Sequence, residues 1–245
     1  MRVPRISFAG GMYHITTRCN NREFFFASQQ DFELYLQTLR RAKEIYKTQV
    51  YAYCITSNHV HLVVATPKKK KTLSQFMQYL NGNFAKAYNK AHGKTGHFWG
   101  ERFFSTVIES ETQFFHSLVY VELNMVRAGV VKDPQEWRWS SYRAHAGGES
   151  SPILDKHPLY EELGNNDMER QVAYRAMIGC RIEELGLERD PVLTRGLIAG
   201  SRSFVSKVLQ RCRHRHEYYR QCQMFEYGDR GCCLLRPSRH LTLRR

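Results

Sequence analysis

Val50-Tyr51-Ala52-Tyr53-Cys54-Ile55-Thr56-Ser57-Asn58-His59-Val60-His61-Leu62-Val63-Val64-Ala65 is the stretch on which the fold turns. β-Branched and aromatic residues dominate it, and the turn-like pair Ser57-Asn58 divides it. It reads as two strands, over 50–56 and 59–66, with Pro67 ending the second. Alternate side chains of a strand share a face, so His59 and His61 project together while Val60 turns into a core. Two imidazoles side by side on one sheet face supply half of a divalent metal site.

Upstream, Gly10-Gly11 opens a first strand over 11–18. Residues 31–46 then carry Phe32, Tyr35, Leu36, Leu39, Ala42 and Ile45 at helical spacing. Downstream, 68–71 is a lysine loop, and 72–91 places Leu73, Phe76, Met77, Leu80, Phe84, Ala87 and Tyr88 on one face of a second helix. A fourth strand is expected over 102–108. A further helix follows over 110–126, with Ser110 as N-cap, Gln113 three positions on and Ala128-Gly129 as its stop. The order β-α-β-β-α-β predicts an α+β fold, a ferredoxin-like antiparallel sheet with helices on one face and the other left for ligand. After the linker over 147–152, helical stretches are expected at 159–163, 169–185 and 191–209; the last forty-odd residues carry no clear period. The division expected is a domain over 1–145 and a basic, mainly helical extension over 146–245.

The chain has 245 residues, 42% of them hydrophobic, enough for a substantial core. Its formal net charge of +14 favours a polyanionic partner, nucleic acid above all. No amphipathic basic helix dominates, so an anionic membrane surface is the weaker reading. No apolar run approaches the ~20 residues of a membrane span, and the N-terminal residues lack the apolar stretch of a signal peptide. A cytoplasmic protein with no membrane partner is expected. The seven cysteines are irregularly spaced and define no disulfide framework. Cys212, Cys222, Cys232 and Cys233, with His214 and His216, match no standard zinc module, and a structural zinc is not expected.

Within the helix over 110–126, Tyr120 and Asn124 stand four apart, which puts them on one face with ~5–6 Å between Cβ atoms. Arg127 shares that side. The carboxamide oxygen is able to ligate a hard cation, the phenol to act as a nucleophile and the guanidinium to bind phosphate. Taken alone, each has an ordinary reading too: Tyr120 as core beside Val119, Val121 and Leu123, Asn124 as a cap, and the histidines as satisfied polar residues.

Their co-occurrence resembles a known family. His59-Val60-His61 is similar to the histidine–hydrophobic–histidine pair of the HUH single-strand nucleases. The run from Tyr120 to Gly129 (Tyr-Val-Glu-Leu-Asn-Met-Val-Arg-Ala-Gly) is similar to the tyrosine helix of their single-tyrosine transposases. Further matches lie at 11–18 (Gly-Met-Tyr-His-Ile-Thr-Thr-Arg), at 96–102 (Gly-His-Phe-Trp-Gly-Glu-Arg) and at Trp139-Ser140-Ser141-Tyr142. Together, over roughly 1–145, they resemble the REP-associated tyrosine transposases. The family usually has proline after the helix asparagine; Met125 stands here, so a straighter helix through Arg127 is expected.

The resemblance implies a HUH nuclease fold in which His59, His61 and Asn124 hold Mg²⁺ or Mn²⁺. It implies Tyr120 as the nucleophile of a strand transfer through a 5′-phosphotyrosine, with single-stranded or hairpin DNA as substrate, in a monomer or homodimer. Candidate DNA contacts are Arg18, Arg22, Lys68, Lys69, Lys86, Lys90, Arg102 and Arg127, with Asn20-Asn21-Arg22 as a base-reading loop. His14, His92, His97 and His116 are left outside the site, and Trp99 is expected to pack rather than stack on bases. Two other readings compete: a non-catalytic binder of structured nucleic acid on the same fold, and a hydrolase of small phosphoesters using the histidines alone. The second sits poorly with a charge of +14.

Overall fold

The computed structural model describes residues 5–68, 73–185, 190–212, 222–226 and 231–235. Strands β1 (Met12–Arg18), β2 (Gln49–Ile55), β3 (His59–Ala65) and β4 (Phe104–Ile108) lie in the order β2-β3-β1-β4, each antiparallel to its neighbour. Helix α1 (Gln29–Tyr46) connects β1 to β2, and α2 (Leu73–Ala91) connects β3 to β4. This is the expected ferredoxin-like unit. Period-two alternation builds its first core: Tyr13, Ile15, Val60, Leu62 and Val64 are buried against Tyr35 and Leu39 of α1 and Phe76, Leu80 and Phe84 of α2. Trp99 packs here, 5.8 Å from the Phe84 ring, and donates from Nε1 to the Asn81 carbonyl. Helix α1 starts two residues before the apolar period does. Ser28 caps it, accepting from Asp31 N–H while the Asp31 carboxylate accepts from Ser28 N–H.

The second face differs from expectation, because it too carries helices. At one end it presents Met12, Val63, Ala65 and Ile108, an apolar surface that water would leave unfavourably exposed. Helices α3 (Ser110–Glu122), α5 (Tyr142–Gly147) and α7 (Asp167–Leu185) cover it, burying Phe114, Leu118, Tyr174 and Ile178. At the other end the same strands present His14, Thr16, His59 and His61, and there a cleft opens. The expected helix over 110–126 is also broken. It begins with Glu109 rather than Ser110 in the cap position, and α3 stops at Leu123 (ψ 7°), where α4 (Asn124–Arg127) takes over. Bonds from Leu123 N–H to Val119 O and from Arg127 N–H to Leu123 O carry the helical register through the break. Tyr120 and Asn124 therefore stay one turn apart.

The C-terminal region is not simply helical. After α6 (Pro158–Glu161) and α7, the stretch expected as one helix over 191–209 is α8 (Pro191–Arg195), strand β5 (Gly196–Gly200) and α9 (Arg202–Arg211). β5 runs parallel to β4, and β6 (Gln223–Glu226) and β7 (Cys232–Leu235) extend the sheet to the order β2-β3-β1-β4-β5-β7-β6. His214 and His216 lie outside the described residues. No described helix is long and apolar enough to cross a membrane.

Candidate active site

Strand pairing brings the first groups together. β1 and β3 are in a register that sets Thr16 opposite His61 and Arg18 opposite His59. The His59 and His61 rings are 5.0 Å apart and nearly perpendicular, while Val60 is buried on the opposite face, as the alternation requires. Both imidazoles are held through Nδ1. That of His61 lies 3.0 Å from His14 Nε2 and 3.1 Å from Thr16 Oγ1. That of His59 lies 2.6 Å from Asn58 Oδ1 and 2.8 Å from Thr56 Oγ1. Anchoring one ring nitrogen sets the tautomer and turns the other outward, which is how ligating histidines are usually prepared.

Helix α3 carries Tyr120 over this end of the sheet. The phenol ring is buried and edge-on to His14 and His61, with centroids 5.6 and 5.8 Å away. The Arg127 guanidinium sits 4.0 Å above the Tyr120 ring and donates to the Tyr120 carbonyl at 2.5 Å. A cleft of about 860 Å³ takes in His59, His61, Tyr120 and Asn124, with Arg18, Arg22, Arg102 and Arg127 on its walls. Lys68, Lys86 and Lys90 are exposed but do not line it, and Lys69 lies outside the described residues. At the mouth, Asn21 and Arg22 both have left-handed backbones (φ 51° and 61°), a cost for non-glycine residues that is common where a loop serves a ligand.

The electrostatics suit an anionic ligand beside a metal. Burial pushes His61 well below its ordinary pKa, with His59, His14, Arg127 and Arg18 adding to the effect. Burial, with Arg127, takes His14 down to about 3. Both are neutral near pH 7, the form in which an imidazole nitrogen can ligate. Burial and the nearby Arg102 lower Arg5 to about 10, so positive charge is crowded at this edge. Among the described residues no group of three or more His, Cys, Asp or Glu side chains is placed to hold a metal ion. The donor set in the cleft is instead two imidazoles and the Asn124 carboxamide. That set fits a borderline divalent ion such as Mn²⁺ better than Mg²⁺, with other positions left to water and phosphate oxygen.

Three groups here were not expected. His14, placed outside the site from sequence, is fully buried beneath Tyr120 and bonded to His61. Its signal was its alternation with Thr16 on β1, meaningful only once β1 lies beside β3. Thr194 of α8 lines the cleft from a segment far along the chain. His116, one turn before Tyr120, pairs with Asp190, whose carboxylate also accepts from Val192 N–H at the start of α8.

A ferredoxin-like sheet with paired histidines under a tyrosine-bearing helix places the molecule among proteins built like the single-tyrosine transposases. Residues 7–123 match the family described as "Transposase IS200 like". The chain is 24% identical over 152 residues to a Haemophilus influenzae protein named as a REP-associated tyrosine transposase, covering 58% of this chain and 86% of the relative. It is 20% identical over 149 residues to the REP-associated tyrosine transposase of Escherichia coli, covering 61% and 87%. A solved REP-associated tyrosine transposase bound to a REP hairpin shares the fold, with a TM-score of 0.53 at 18% identity over 64% of this chain and 92% of that one.

Proposed function

We propose that the protein is a metal-dependent endonuclease and strand transferase acting on single-stranded or hairpin DNA, with Tyr120 as its nucleophile. The observation that carries this reading is the convergence on one cleft of His59 and His61 from strand β3, the Tyr120 phenol from α3 and Asn124 from α4. His59, His61 and Asn124 would hold Mn²⁺ or Mg²⁺. Such an ion, when bound, supplies Lewis-acid polarisation of a phosphodiester oxygen. Arg18, Arg22 and Arg102 track the strand's phosphates along the wall. The Arg127 guanidinium, 4.0 Å above the Tyr120 ring, sets positive charge beside the phenol. The Tyr120 oxygen attacks phosphorus, the P–O bond to the upstream sugar breaks, and that sugar leaves as a free 3′-OH. The resulting 5′-phosphotyrosine conserves the ester, so attack by a 3′-OH rejoins strands without a nucleotide cofactor and releases Tyr120. The hairpin named with the solved relative makes a hairpin with a single-stranded flank the first substrate to test.

The test is a covalent adduct. Labelled hairpin DNA is incubated with protein and Mn²⁺ and resolved on a denaturing gel. A shifted band present for the wild type and absent for Tyr120→Phe is expected. No band across varied hairpins and flanks, with binding intact, would leave only a nucleic-acid-binding role.

A further inference from the structure

Glu122 lies between Tyr120 and Asn124 in sequence, two residues from each, so on the helix it points about 200° away from both, into the protein. It is 1% exposed. Oε1 accepts from the Ser141 hydroxyl at 2.5 Å and lies 2.6 Å from His145 Nδ1, and Oε2 accepts from the Tyr174 hydroxyl at 2.7 Å. These partners come from outside the residues matched to the family: Ser141 from the segment before α5, His145 from α5 and Tyr174 from α7. Ser141 is also fastened to the sheet. Its Oγ accepts from Tyr53 N–H at 3.1 Å, and its own N–H donates to the Tyr53 carbonyl at 2.9 Å. Tyr53 is the β2 residue next to Cys54, which pairs with His61 on β3.

A buried carboxylate is a poor choice for stability alone. Its desolvation is offset only when its hydrogen bonds are complete, and an apolar residue of the same volume would often serve as well. What it supplies is a fixed geometry. Here that geometry ties the helix bearing Tyr120 to the hairpin bearing the histidines, one residue before the break at Leu123. Neither glycine nor proline marks that break. We infer that Glu122 is a positioning residue: held by Ser141, His145 and Tyr174, it fixes the α3–α4 break against the β2–β3 hairpin so that Tyr120 and Asn124 face the histidines together. The inference rests on reading Tyr120 as the nucleophile, and it gives the C-terminal region a part in the site through Tyr174.

The test uses the full chain with 3-fluorotyrosine at position 120, in the wild type, Glu122→Gln and Tyr174→Phe. The fluorine spectrum reports the ring's surroundings without any need for turnover. It should move or broaden in both variants while melting stays cooperative. In parallel, adduct formation should slow by about tenfold to a hundredfold in Glu122→Gln, as expected for sub-ångström misplacement of a reacting group. Hairpin affinity should stay within about twofold, since the cleft arginines are untouched. Should Glu122→Gln fail to fold, Tyr174→Phe, which deletes one hydroxyl, decides the matter. Unchanged spectra in folded variants would overturn the inference. So would loss of hairpin binding, adduct and melting temperature in proportion, which marks a purely structural role. A wild type that never forms an adduct would refute the transferase reading, and the fluorine spectra would still judge the positioning.

Discussion

Replacing Arg22 and Arg102 by glutamine should flatten the salt dependence of DNA binding, whereas replacing Lys86 and Lys90 should not. Both arginines line the cleft and both lysines lie away from its walls. Either pair lowers the formal net charge of +14 by two, to +12, so the comparison separates position from overall charge. Each phosphate contact on a single strand contributes about 0.7 to the slope of log affinity against log salt, so losing two removes about 1.4. Between 50 and 200 mM salt, the wild type should then lose roughly sevenfold more affinity than the arginine variant. Fluorescence anisotropy of a labelled hairpin with a single-stranded flank, without divalent metal, measures this directly. Arg22 has a left-handed backbone, and glutamine bears that conformation no worse than arginine, so the loop should keep its shape. Equal slopes for the two pairs would refute the assignment of the cleft as the phosphate track, and a larger loss for the lysine pair would move the track elsewhere.

Other outcomes follow from the same geometry. If His61 ligates the metal as proposed, His14→Gln should raise the Mn²⁺ concentration for half-saturation by about tenfold to a hundredfold, because His14 is hydrogen-bonded to His61 Nδ1; titration of free Mn²⁺ by electron paramagnetic resonance reads this without DNA. The lowered pKa of buried His14, about 3 against an ordinary 6.5, also links stability to pH. The unfolded chain takes up a proton below pH 6.5 that the folded site refuses. Stability from this group is therefore complete above that pH, and about 1 kcal/mol of it is lost between pH 7 and 5.5. Urea melts of metal-free protein should show the decline, shallower in His14→Gln; equal steepness in both would contradict the burial argument. Phe84→Ala should cost about 3–5 kcal/mol, since its ring packs against Phe26, Tyr35 and Phe98 at the centre of the first core. A loss under about 1 kcal/mol in denaturant melts would mean that core is not closely packed.

What could be read from sequence was what depends on local period. Alternation along 59–65 was enough to put His59 and His61 on one face and Val60 on the other, because that follows from one strand's geometry. Apolar spacing in α1 and α2 showed which face meets the sheet, and the element order then restricted the topology. His14 was illegible for the complementary reason. Nothing in 11–18 says which strand it will border, and only the pairing of Thr16 with His61 turns an ordinary histidine into a support for the site. β5 hid differently: Gly-Leu-Ile-Ala-Gly is short and buried on both faces, so it lacks the alternation that would distinguish it from the helices on either side. Which basic residues reach the cleft is not legible, because a charge in sequence has no direction. Lys86 and Lys90 lie on the solvent side of α2, while arginines at strand ends and in loops reach the cleft.

The break at Leu123 carries the broadest consequence. Without glycine or proline there, local propensity favours one helix through Met125, which is what the sequence suggests. The helix is instead interrupted at Leu123, next to Glu122, which is gripped by groups from three later segments. If Glu122 positions them, the orientation of Tyr120 and Asn124 is decided by residues up to Tyr174, beyond the residues 7–123 matched to the family model. An N-terminal fragment ending at residue 145 would retain the histidines, the tyrosine and the asparagine, and also Ser141 and His145. It would lose the Tyr174 hydroxyl, the α7 residues Tyr174 and Ile178 of the second core, and the Asp190 partner of His116. Two polar groups on the tyrosine helix would then lose partners that their burial requires. The motif-bearing part of the sequence and the physical unit that holds the site together are therefore different lengths of chain.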